Sequence, residues 1–128
     1  MAGEETFGER IRALRKARNL DQRTLAERVQ ARLQQEGGRG FDVTYLSKIE
    51  NGRVDPPSTA AITALAEELG ADAYELIALA GKVPPSVGET LKASEGARIF
   101  YRTAVDLRLT EQDWQHLVEE ARRRKRQR

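Results

Sequence analysis

Val43, Thr44, Ser47 and Lys48 stand at i, i+1, i+4 and i+5 of the segment VTYLSKIE. On a helix this spacing puts all four on one side, opposite Leu46 and Ile49. That side has nothing to bury, is short-chained at its start and carries one long donor. The shape suits a helix end entering a groove lined by base edges. Lys48 can donate to guanine O6 or N7, and the methyl groups of Val43 and Thr44 match a thymine methyl. The plain alternative for the same pattern is a solvated face.

Other chemistries are poorly supplied. The chain has no cysteine and a single histidine, His116, which falls in a helix rich in charge. Thiol catalysis, thiolate metal sites and disulfides are therefore excluded, and a metal site or a Ser-His-Asp triad would have to rest on that one imidazole. Glu67-Glu68 and Glu119-Glu120 are adjacent on helices and splay apart, unlike a working acid/base pair. Gly37, Gly38 and Gly40 are not part of a GxxxxGK[ST] phosphate loop. No enzyme, no cofactor and no metal is expected.

The elements that must position the VTYLSKIE face are marked by helix-start signals. Thr6-x-x-Glu9, Asp72-x-x-Glu75, Ser86-x-x-Glu89 and Thr110-x-x-Asp113 have the form of capping boxes, and Asp21, Asp42 and Ser58 are single caps. Phe7, Ile11 and Leu14 line the first helix; Leu25, Val29 and Leu33 line a second that stops at Gly37-Gly38. The third runs from Asp42 to Asn51-Gly52. Ile62, Leu65, Ala66 and Leu69 line a fourth closed by Gly70, and Leu76, Ile77 and Ala80 a fifth closed by Gly81. Lys82-Val83-Pro84-Pro85 reads as a linker, since paired prolines stiffen the chain. Beyond it come a short helix over Ser86–Lys92, a second over Glu95–Leu107 and a last one from Glu111, with Trp114, Leu117, Val118 and Ala121 as its stripe.

Composition agrees with an all-α protein. Charged residues make up 33% of the chain and aromatics only 5%, with few prolines. No apolar run approaches membrane-spanning length and the start MAGEET is not a secretory signal, so a cytoplasmic location is the expectation. The net charge of +2 hides a strong asymmetry: residues 1–58 hold 11 basic and 9 acidic side chains, residues 59–121 hold 5 and 11, and residues 122–128 hold 6 and 0. The basic end is either a nucleic-acid contact or a solvated terminus.

FGERIRALRKARNLDQRTLAERV, YLSKIENGRVDPPS and ITALAEELGADAYELIALAGKVP follow one another in an order that resembles the lambda-repressor/Cro-like (XRE) helix-turn-helix regulators. The likeness spans Phe7 to Pro84, about three fifths of the chain. It implies a five-helix DNA-binding domain over residues 1–83 whose second and third helices form the binding unit. It also implies phosphate contacts from Gln22, helped by amide donors at its helix start, and from Asn51 and Arg53 at the exit of the third helix. Arg23 and Tyr45 are placed with that group. Arg15 and Glu50 match a pair that ties helix one to the end of helix three.

One departure stands out. Members of that family join the second and third helices by a tight turn, whereas AERVQARLQQEGGRGFDVTYL lengthens helix two and inserts a glycine-rich connection. The insertion is either a tolerated surface loop or an arm whose Arg39 reaches the DNA backbone or minor groove. It also leaves the angle of the third helix open, because the tight turn normally sets it.

Residues 84–128 would form a helical segment for dimerisation or partner binding, ending in the basic tail. Ile99, Phe100, Trp114, Leu117 and Val118 either bridge two chains or close the core of one. The resulting expectation is a homodimeric repressor of double-stranded DNA acting on a roughly palindromic operator. The competing one is an antitoxin-like or protease-controlled protein that binds a partner through this segment and autoregulates its operon.

Overall fold

A computed structural model describes residues 5–35 and 40–127, all of whose regular structure is helical. The chain divides into two compact units, Met1–Pro84 and Pro85–Arg128.

The first unit contains α1 (Phe7–Ala17), α2 (Gln22–Gln35), α3 (Val43–Glu50), α4 (Thr59–Leu69) and α5 (Ala73–Leu79). Short polar side chains start each one. The Thr6 hydroxyl accepts from the Glu9 amide at 3.1 Å while the Glu9 carboxylate accepts from the Thr6 amide at 2.9 Å, closing a reciprocal box. That backbone donor holds the Glu9 carboxyl below its ordinary value. Asp21 accepts from the Thr24 amide at 2.7 Å, and Ser58 from the Ala61 amide at 3.2 Å. At the other end of α4, Gly70 takes φ +65°, the left-handed conformation that a side chain resists.

Apolar residues three and four apart then bury together. Ile11, Leu25, Val29, Leu46, Ile62, Leu65 and Leu76 are fully enclosed, each worth about 1.5–3 kcal/mol of transfer free energy. The middle of the core is α4, which buries Ala61, Ile62, Ala64, Leu65, Ala66 and Leu69 and packs against α2 on one side and α5 on the other. The short α3 packs on α1 and α2.

The second unit contains α6 (Pro85–Ala93), α7 (Glu95–Leu107) and α8 (Glu111–Arg126). Ser94 caps α7 through the Ala97 amide at 3.0 Å, and Arg108 ends it at φ +53°. Arg98 donates to the free carbonyls of Leu91 and Lys92 at the end of α6, a cation at the negative end of a helix. Thr110 and Asp113 form a second reciprocal box at the start of α8.

Two of the expected boxes differ. The helix α6 begins at Pro85, so Ser86 lies inside it; proline at the first helical position lacks the N–H that would need a partner. Asp72 does cap α5, through the Tyr74 amide at 2.9 Å, but Glu75 turns away toward Arg10, 3.7 Å off. The expected helix stop at Gly37-Gly38, and Arg39 with it, lies outside the described residues. Among those described, no helix is long and apolar enough to cross a membrane, and no group of three or more His, Asp or Glu side chains is placed to hold a metal ion.

Candidate nucleic-acid interface

The start of α3 is set by Asp42, whose carboxylate accepts from the Tyr45 amide at 2.8 Å. Leu46 and Ile49 go into the core, with Leu46 wholly enclosed. Opposite them Thr44 and Lys48 are exposed, as the helical spacing requires. Val43 and Ser47 are only half-exposed. Val43 leans against the edge of the core, which corrects the expectation that this side has nothing to bury. The Asn51 amide reaches back to Ser47, donating to its carbonyl oxygen at 2.9 Å and lying 3.4 Å from its hydroxyl. Asn51 therefore closes the helix, and Ser47 shares its polar atoms with that closure.

The far end of α3 is locked by charge. Glu50 is only 4% exposed and receives a two-pronged hydrogen bond from Arg15, Nε to Oε2 at 2.7 Å and Nη2 to Oε1 at 2.9 Å. The third arm of Arg15 donates to the Leu20 carbonyl at 3.0 Å. Hydrogen bonding to Glu50 holds the Arg15 guanidinium above its already high ordinary value. Gln22 Nε2 adds a bond to Glu50 Oε1 at 3.0 Å, so this side chain is partly committed to the lock. One glutamate thereby joins the end of α1, the start of α2 and the end of α3. Beside it Gly8 lets α1 come against the carbonyls of Ile49 and Glu50.

The near end of α3 is fastened by residues that the local pattern does not reveal. Phe41 is 2% exposed, and its ring meets Tyr45 edge-on at a centroid distance of 5.3 Å. The Phe41 amide donates to the Gln30 side-chain oxygen on α2. Farther along α2, Arg32 donates to both Glu67 and Glu68 of α4. The adjacent carboxylates therefore converge on one guanidinium, which corrects the expectation that they splay apart, and they join the later part of α2 to α4. A large apolar residue in the otherwise polar stretch GGRGFD was the one available sequence signal.

These anchors replace the missing tight turn: α3 is pinned to α2 through Phe41 and to α1 through Glu50. Gln30→Ala should leave the half-buried Phe41 amide without its partner and lower stability by about 1–2 kcal/mol in urea unfolding. An unchanged midpoint would show that this bond contributes nothing.

Arg23, on the first turn of α2, and Arg53, after the exit turn, are exposed on the same unit. Between α2 and the start of α3 runs a groove of about 320 Å³ lined by Arg23, Gln30, Phe41 and Val43. Tyr45 is half-buried against the core. In the second unit Ile99, Phe100, Leu117 and Val118 are exposed while Trp114 is half-buried, its ring 6.4 Å from that of Phe100. His116 is exposed and lines a groove between α7 and α8.

Two consecutive helices, the second short, capped and carrying an exposed polar face, define a helix-turn-helix protein with a lengthened connection. Residues 6–79 match the family model of a helix-turn-helix domain. A protein of Bacillus subtilis (strain 168) described as the uncharacterized HTH-type transcriptional regulator RghRB is 33% identical over 120 residues, covering 87% of this chain and 79% of its own length. No solved structure matches the chain. The chain belongs to the lambda-repressor/Cro-like (XRE) family of helix-turn-helix DNA-binding regulators.

Proposed function

We propose that this protein is a cytoplasmic, sequence-specific repressor that binds a roughly palindromic duplex as a homodimer. Residues 1–83 would bind DNA and residues 84–128 would join the two chains. The observation that carries the reading is the exposed face of α3 on a helix anchored at both ends, a rigid mount for side chains that must meet base edges.

Within that face Thr44 and Lys48 are the freest base-reading groups. Val43 would offer its exposed methyl surface, and Ser47 the hydrogen-bonding capacity not used by Asn51. Phosphates would be held by Arg23 and Arg53, by the Tyr45 hydroxyl, by the remaining Gln22 amide hydrogen and by Asn51 and its turn. A single domain reads half a site weakly, and two-fold pairing would supply the second half. A dimer seated on an operator blocks polymerase by occupancy alone, which favours repression.

Selection of bound duplexes from a random pool tests this directly. An enriched inverted repeat is the expected result, and a pool without any motif would sink specific readout. Lys48→Ala should reduce discrimination at one base pair in each half-site by about 1–3 kcal/mol while leaving the helix folded. Affinity should also fall steeply with salt, because neutralised phosphates release counterions.

The exposed apolar side chains of the second unit favour one other reading, an antitoxin-like or protease-controlled protein that binds a different partner there. Co-purification with such a partner, and a monomer in its absence, would support it.

A further inference from the structure

The unit Pro85–Arg128 has almost no interior of its own: among its described residues only Ala104 is a buried apolar side chain. Ile99 is 58% exposed and Val118 44%, and Phe100, Leu107 and Leu117 stay open to water along a groove of about 580 Å³ between α7 and α8. So short a segment cannot bury enough surface to be stable by itself, and so large an apolar face asks for a cover.

The charges of α8 indicate which cover fits. Its first ten residues, Glu111 to Glu120, carry four carboxylates and no lysine or arginine; its last six, Ala121 to Arg126, carry five cations and no carboxylate. The helix thus carries opposite charge at its two ends, with Leu117 and Val118 at its middle. A parallel copy would set carboxylates on carboxylates and cations on cations. An antiparallel copy reverses this and sets each acidic half on a basic half, with Leu117 and Val118 meeting at the two-fold axis and Trp114 facing Ala121.

We propose that the occupant of this face is the same face of a second copy, with the two α8 helices antiparallel about an axis near Leu117 and Val118. The arrangement rests on the dimeric reading above and gives it a direction. Glu111 lies near Lys125 of the other chain. In this geometry the basic end of α8 is an interface element.

The absence of cysteine makes the geometry readable by single cross-links. Glu111 and Lys125 are exposed, so Glu111→Cys and Lys125→Cys should leave the helix intact, as circular dichroism will verify. In an antiparallel pair, two copies of residue 125 lie roughly 20 Å apart along the axis, far beyond the approximately 7 Å limit for a disulfide. Each full-length variant alone should therefore stay uncross-linked in a glutathione redox buffer, while the two co-expressed should give a covalent dimer. A covalent dimer from either variant alone would overturn the antiparallel arrangement in favour of a parallel one. No cross-link in any arm, with wild type still dimeric by light scattering, would overturn the arrangement and leave the dimer standing. A monomeric wild type at working concentration would overturn both.

Discussion

Glu50→Ala should cost about 3–5 kcal/mol, a large part of what holds a domain of this size together. The loss comes less from the vanished attraction than from what remains. Arg15, itself 8% exposed, would keep a buried positive charge with only the Leu20 carbonyl to receive it, and Gln22 would lose its acceptor. Urea unfolding should show a midpoint far below that of the parent with the slope unchanged. The double variant Arg15→Met with Glu50→Leu separates this cause from simple loss of contact. Replacing both partners by apolar groups of similar volume should recover most of the stability. If the double variant were as unstable as the single one, the orphaned charge would not be the reason. Because the same glutamate ends α3, duplex binding should fall along with stability.

Gly8→Ala should be nearly as damaging, on the order of 3 kcal/mol, although alanine is the better helix former by about 0.5–1 kcal/mol. The sign is decided by what the new methyl meets. A Cβ at position 8 would overlap the Ile49 carbonyl oxygen and stand 2.9 Å from that of Glu50. Both are backbone atoms at the end of α3 and neither can rotate away, so α1 and α3 would have to separate. A thermal melt unchanged by the substitution would show that the two helices can part at little cost. A loss of duplex affinity larger than the loss of stability would show that α3 had shifted while the fold survived.

Much of this architecture is legible in the chain because helix starts are local events. Thr6, Asp21, Asp42, Ser58 and Thr110 each satisfy amides within three residues, so the signal and its effect lie in one short window. Ser86 misleads for the same reason in reverse: an S-x-x-E pattern looks alike whether serine caps a helix or lies one place inside it, and Pro85 decides the matter. The exposed side of α3 follows from helical spacing alone. What fixes its pose does not, since Gln30 meets Phe41, Arg32 meets Glu67 and Glu68, and Gly8 meets Ile49 only after the bundle has closed. Arg15 and Glu50 come from likeness to a family, and the structure supplies the geometry that makes them a three-helix junction.

The fastening of Phe41 onto α2 has a consequence for how such a protein can change. In a tight helix-turn-helix the connection is also the hinge, so every residue added there would tilt the reading head. Here the chain leaves α2 after Arg32 has tied it to α4, and it is caught again at Phe41 before α3 begins. The pose of α3 is thus fixed by contacts at its own two ends, Phe41 before it and Glu50 at its close. Any change in the orientation of α3 would have to begin at one of these two contacts, at Gln30 on α2 or at Arg15 on α1.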